Sequence, residues 1–226
     1  MKRSEILRDY MQAHLPDYLS ALEGAVRRET PTEGSRADLD ACRAYFAQLF
    51  RASGFQVTEI PSLDPRFAPH LLMEYGADAG SAAREVLAWL SARRDADPPE
   101  TWSPELGGRS GQLLFGGHYD TVHEKGLFPR LWAIDGDHAV GPGVLDMKSG
   151  DVMVWLLGKA YQDLGLLPEG KRIAFLLTSD EEAGSYGSSP LYRHLACRSE
   201  AAFIVESSVG VEGDYIGGLK CGRYGR

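Results

Sequence analysis

The sequence is poor in cysteine. Its three, Cys42, Cys197 and Cys221, form no Cys-x-x-Cys pair, and an odd number leaves one thiol over in any disulfide scheme. That argues against a disulfide-built secreted scaffold and points to a reducing, cytoplasmic location. No stretch approaches the ~18 apolar residues of a membrane span, and the start, Met1-Lys2-Arg3-Ser4-Glu5-Ile6, lacks the apolar run of a signal peptide. Positive charge is in deficit: 24 Lys and Arg against 32 Asp and Glu give a net charge of -8. A nucleic-acid or membrane partner is therefore not expected, and carboxylates are left over for metal ions and a small ligand. Internal repeats and long low-complexity tracts are missing too. What remains is 226 residues at 43% hydrophobic content, enough for one substantial domain or a domain and a half.

Apolar residues recur at helical spacing from Ser4 to Arg28, where Pro16 bends or splits the helix. A second helix is expected from Arg36 to Ser53, ended by Gly54. Strands follow near Gln56 to Ile60 and His70 to Tyr75. Between Ala77 and Ser110 the composition turns to Ala, Arg, Asp and Pro, with a short helical patch around Val86, Leu87 and Leu90. This reads as a surface excursion rather than a core element. Three apolar runs, Gln112–Phe115, Ile173–Thr178 and Ala201–Val205, suit buried strands, and a helix from Lys148 to Leu164, stopped by Gly165, separates the first two. The fold class expected is α/β: a mixed, mostly parallel sheet with helices on both faces.

Each buried run ends in histidine or acid, at the edge where open α/β sheets place their ligands. The first leads into Gly117-His118-Tyr119-Asp120-Thr121-Val122. Alternate side chains of an extended strand share a face, so Asp120 can orient the His118 ring while its other nitrogen binds a metal; a hydrogen-bonded structural histidine is the plainer alternative. Gly141-Pro142-Gly143-Val144-Leu145-Asp146-Met147-Lys148 delivers one carboxylate at a helix start, where Asp146 could equally be an N-cap. A phosphate-binding loop fails here, since the glycine needed before the lysine is Met147. Thr178-Ser179-Asp180-Glu181-Glu182-Ala183-Gly184-Ser185 packs like charges that favour a cation or a raised pKa, or forms a solvated acidic turn. Glu206 follows the third run, where the strand could equally be emerging into solvent. Together His118, Asp146, Glu182 and Glu206 make a nitrogen and oxygen donor set suited to zinc or cobalt.

These segments, in this order and at about this spacing, resemble the dinuclear zinc exopeptidases and deacylases, a family that includes glutamate carboxypeptidase, aminoacylase, acetylornithine deacetylase and succinyl-diaminopimelate desuccinylase. The resemblance covers essentially the whole chain, weakly across Ala77 to Ser110. It implies two Zn2+ ions, with Co2+ as a possible substitute: His118 and Glu206 on the first, Asp146 bridging, Glu182 on the second. It implies Asp120 as the residue that orients His118, Glu181 as the general base, and a cis peptide bond between Asp146 and Met147. The activity implied is cleavage of an amide or peptide bond in a small, carboxylate-bearing molecule or short peptide, by C-terminal amino-acid release or N-acyl-amino-acid deacylation.

The resemblance further implies a lid and dimerisation domain, a final histidine ligand for which His14, His70, His123, His138 and His194 are no match, and a homodimeric parent protein. Residues 1–222 are expected to form the catalytic, metal-binding domain, with 223–226 at the start of the lid. The chain is then a fragment or truncated product with one metal site incomplete. A non-catalytic binding module that keeps the fold is the alternative from another functional class.

Overall fold

The computed structural model describes residues 2–93 and 111–207, and the backbone alone of 220–222. The expected N-terminal helix is two, α1 (Arg3–Ala13) and α2 (Leu15–Val26). Pro16 lies in the first turn of α2, where its missing N–H costs nothing, and the chain turns at His14. Helix α3 (Arg36–Ala52) begins at Ser35, whose hydroxyl accepts the Ala37 N–H, and ends ahead of Gly54 at φ 75°. Strands β1 (Gln56–Ile60) and β2 (His70–Gly76) follow, then α4 (Ser81–Ala92), β3 (Gln112–His118) and a small hairpin, β4 (Ala133–Asp135) with β5 (His138–Val140). The second half runs α5 (Ser149–Leu164), β6 (Arg172–Thr178), α6 (Ser189–Cys197), β7 (Ala201–Ile204) and β8 (Lys220–Gly222).

Six strands form one mixed sheet in the order β1-β2-β6-β3-β7-β8. Its centre, β6-β3-β7, is parallel, and β1, β2 and β8 are antiparallel to their neighbours. Both faces are covered, as the unbroken apolar runs require. On β6, Ile173, Phe175 and Leu177 face one core with Phe46 and Phe50 of α3 and Val152 and Trp155 of α5. Ala174 and Leu176, on the alternate positions, face a second core with Val86 of α4 and Leu191 and Leu195 of α6. The parallel order puts the C-terminal ends of β3, β6 and β7 side by side, and with them His118, the Asp180–Glu182 turn and Glu206.

Two expectations need correction. The segment from Ala77 is not simply a surface excursion: α4 buries Ala82, Ala83 and Val86 in the second core. Its small residues let it lie close on the sheet. The buried Glu74 carboxylate of β2 accepts the Ala82 and Ala83 N–H groups at 2.9 and 3.1 Å, supplying the negative charge that a helix start favours. Residues 94–110 of the same segment, and 223–226, lie outside the described residues. The third apolar run, moreover, is only half-buried over β7, with Ile204 exposed, because α5 and α6 pack over the neighbouring β3.

Candidate metal centre

β3 ends on His118, whose ring is buried. Its Nδ1 lies 3.0 Å from the Asp120 carbonyl oxygen and 3.3 Å from Asp120 Oδ1, which leaves Nε2 pointing outward. Around Nε2 stand Asp146 Oδ1 at 3.1 Å, Glu206 Oε1 at 3.2 Å and Glu181 Oε2 at 3.7 Å. One ligand atom each from His118, Asp146 and Glu206 can be chosen so that all lie within 4.8 Å of one another. Asp146 reaches this point from a wide turn over Val144–Lys148, entered through Gly143 at φ 70°, in which Asp146 and Met147 leave helical geometry and share a cis peptide bond. The cis bond is the one the family resemblance implies.

Lys148 anchors that turn. It is fully buried, and its Nζ donates to the carbonyl oxygens of Arg28 at 2.8 Å and Ala25 at 3.4 Å, at the C-terminal end of α2. Burial pulls its pKa below the usual lysine range.

The acidic turn after β6 divides its residues. Glu181 points to the His118 ring, whereas Glu182 stands in the same turn but outside the three-residue group. Asp180 turns inward: its Oδ2 accepts the N–H groups of Gly187 and Ser188 at 2.6 and 3.0 Å and closes the loop before α6. Asp120 does more than face His118. Its carboxylate accepts the N–H groups of Glu181 at 3.3 Å and Glu182 at 3.2 Å, and the Thr32 hydroxyl at 2.8 Å.

Sequence reasoning missed Thr32, Asp180 and Lys148. Thr32 lay between the two expected helices, in a stretch with no signal of its own, yet Thr32 N–H donates to the Thr121 carbonyl and Pro31 pairs with Thr121 beside the His-x-Asp turn. Asp180 and Lys148 sit inside the motifs, where burial was the missing signal.

The electrostatics follow from crowding. Burial alone drives the His118 ring towards neutrality, but its hydrogen bonds to Asp120, Asp146 and Glu206 outweigh this and hold its proton well above the ordinary histidine range. Burial first, and the charge of Asp146 second, push Glu182 up to about 7. Glu181 is raised by burial and by Glu206, Asp120 and Asp146, against the pull of His118. A site that retains protons among packed carboxylates lacks positive charge, which a divalent cation would supply.

Among the described residues no other histidine joins the group. His14 stacks on Tyr10, His194 on Trp89, His123 packs edge-on against Phe128, and His138 lies in the small hairpin. His70 is buried beside Ser179. No helix among the described residues is long and apolar enough to cross a membrane.

Comparison with known proteins gives a consistent picture. Residues 114–221 match the domain of Peptidase family M20/M25/M40. Carboxypeptidase G2 of Pseudomonas sp. (strain RS-16) is 36% identical over 94 residues, 41% of this chain and 22% of that protein. Human carnosine dipeptidase 1 superposes with a TM-score of 0.64 at 20% identity, over 90% of this chain and 40% of its own. The dipeptidase Dug1p of Saccharomyces cerevisiae gives 0.63 at 17% identity, over 90% and 41%. The M20 family metallo-carboxypeptidase Sso-CP2 of Sulfolobus solfataricus gives 0.58 at 14% identity, over 84% and 37%. At such identities the structural likeness carries the fold alone, and the chain spans well under half the length of these proteins. Over residues 114–221 the chain is therefore similar to the domain of peptidase family M20/M25/M40.

Proposed function

We propose that this chain is the metal-binding catalytic part, residues 1–222, of a zinc-dependent hydrolase that cleaves an amide or peptide bond in a small carboxylate-bearing substrate. The observation that carries the proposal is the convergence of Asp146 and Glu206 on His118 Nε2, at 3.1 and 3.2 Å, with the other ring nitrogen held by Asp120. An imidazole fixed on one nitrogen and faced by carboxylates on the other has the donor chemistry of a zinc site. His118 and Glu206 would hold one Zn2+ and Glu182 a second, with Asp146 shared between them; Co2+ would serve in the same donor set. When bound, the metal pair supplies a lowered water pKa and polarisation of the scissile carbonyl.

The chain's own groups do the rest. Glu181, raised in pKa and facing the site, takes a proton from the attacking water on its carboxylate and delivers it to the leaving amine nitrogen. Asp120 keeps the His118 ring in register and, through the Glu181 N–H, holds the base in place. Release of a C-terminal amino acid and deacylation of an N-acyl amino acid both fit this chemistry, and the likeness to carboxypeptidase G2 favours the first. The odd cysteine count supports a cytoplasmic location, and the family resemblance supports a homodimeric whole protein.

The test is zinc stoichiometry together with amidase assays on N-acyl and C-terminal-glutamate substrates. For a protein extended to the length of its relatives, about two zinc ions and a fall of roughly 10²- to 10⁴-fold in turnover for Glu181→Gln are expected. A chain that binds no zinc, or whose turnover ignores Glu181→Gln, is a binding module on the same fold and not this hydrolase.

A further inference from the structure

Beside the metal centre lies a cavity of about 400 Å³ with His118, Glu181 and Glu206 in its wall, within the ~300–1,000 Å³ typical of small-ligand sites. The sheet gives it an apolar floor, Leu114 of β3 with Ala202 and Ile204 of β7. Helix α6 supplies part of the wall, including Tyr192 and Arg193. The Tyr192 hydroxyl is committed to the sheet, 3.0 Å from the Gly117 carbonyl oxygen and 3.1 Å from that of Leu176.

Arg193 is exposed at this wall and, among the described residues, makes no hydrogen bond or ion pair. The sequence explains why: the residues three and four positions away on α6 are Ser189, Pro190, Ala196 and Cys197, none of them acidic. Glu181 and Glu206 line the same cavity without pairing with it. A guanidinium with its donor fork unused, in a cavity whose wall also holds apolar side chains, matches the planar, two-oxygen geometry of a carboxylate.

We propose that Arg193 forms an anion subsite in this cavity, taking a carboxylate of a ligand whose apolar body lies on Leu114, Ala202 and Ile204. Placing the ligand's amide against His118 and Glu181 rests on the hydrolase reading; the pairing of Arg193 with the carboxylate does not.

The experiment measures binding of benzoylglycine and of its neutral amide, benzoylglycinamide, to the zinc-equilibrated full chain by calorimetry, alongside Arg193→Gln and Arg193→Lys. The acid is expected to bind about tenfold or more tightly than the amide, the scale of a charge-assisted bidentate contact. Arg193→Gln should erase the preference and Arg193→Lys should keep part of it, with unchanged melting temperatures, since the side chain is exposed. A preference that survives Arg193→Gln places the carboxylate elsewhere, on the metal for instance, and overturns the subsite. So does the absence of any preference, or of binding by either probe. If the chain takes up no zinc the hydrolase reading fails, while the ratio of the two affinities and its response to Arg193→Gln still decide the subsite.

Discussion

Asp120 accepts the backbone N–H of Glu182 at 3.2 Å. The end of β3 and the turn after β6 are thus fastened by the same carboxylate that faces the His118 ring. Neighbouring Glu181 N–H and the Thr32 hydroxyl share it, so one buried acid sets the position of three separate segments.

Asp120→Ala removes the acceptor for those groups at once. Each buried donor left without a partner costs ~1–3 kcal/mol, so a loss of about 3 kcal/mol in urea unfolding is expected. Zinc affinity should fall roughly 10- to 100-fold, as for other partners that orient a ligating histidine. Asp120→Asn, which keeps one acceptor oxygen, should lose less on both measures. An alanine variant that unfolds with wild-type stability would show that the turn is held by other contacts.

How far the site could be read from sequence depends on the reach of each interaction. His118, Asp146, Glu181, Glu182 and Glu206 stood out as candidates because each follows a glycine turn or an apolar run, and such signals are local. The parallel centre of the sheet was legible from three apolar runs with a helix between the first two. Thr32 meets Asp120 across 88 positions, and nothing near either residue announces that. α4 was misjudged because an Ala- and Arg-rich composition resembles surface, while the Glu74 cap that seats it comes from another element. The separation of Glu182 from the group of His118, Asp146 and Glu206 depends on the path of the turn, which composition does not encode.

Asp151 offers a prediction of opposite sign. It is fully buried in α5, and among the described residues neither of its carboxyl oxygens has a hydrogen-bond partner. Burial raises its pKa well above the ordinary range; Glu206 and Asp120 add to this, while His118 and Lys148 oppose it. A carboxyl whose folded pKa exceeds its unfolded value makes the fold less stable as pH rises above the unfolded pKa of ~4, until the folded pKa is passed. Asp151→Asn removes that dependence. In metal-free protein the variant should gain stability over wild type at pH 8, by about 1–4 kcal/mol, and gain less at pH 5. Denaturant unfolding at the two pH values measures this, and a gain that does not grow with pH counts against a protonated Asp151.

Lys148→Met tests the anchor between the metal-site turn and α2. Methionine keeps the apolar stem but leaves the Arg28 and Ala25 carbonyls without the ammonium that now reaches them. A loss of about 1–3 kcal/mol is expected, with weaker zinc binding because Asp146 lies two residues away. Unchanged zinc affinity in a destabilised variant would confine Lys148 to a purely structural role.

The pH dependence of metal uptake follows from the protons the proposed ligands retain. In the metal-free chain Glu182 is pushed up to about 7, by burial and then by Asp146, and His118 also keeps its proton through the neutral range. A cation must displace both, because carboxylate and imidazole bind metal only in their deprotonated forms. Below about pH 7 Glu182 is already protonated, so binding must release its one proton and each further unit of acidity lowers affinity by about tenfold for that group; above it this contribution levels off while that of His118 persists. Chelator competition titrations from acid to mildly alkaline pH should therefore show affinity rising with pH and the slope easing near neutrality. Glu182→Gln should lose the change of slope and keep the histidine-driven rise. A wild-type profile with no break near neutrality would remove Glu182 from the ligand set and leave His118, Asp146 and Glu206 to hold a single ion.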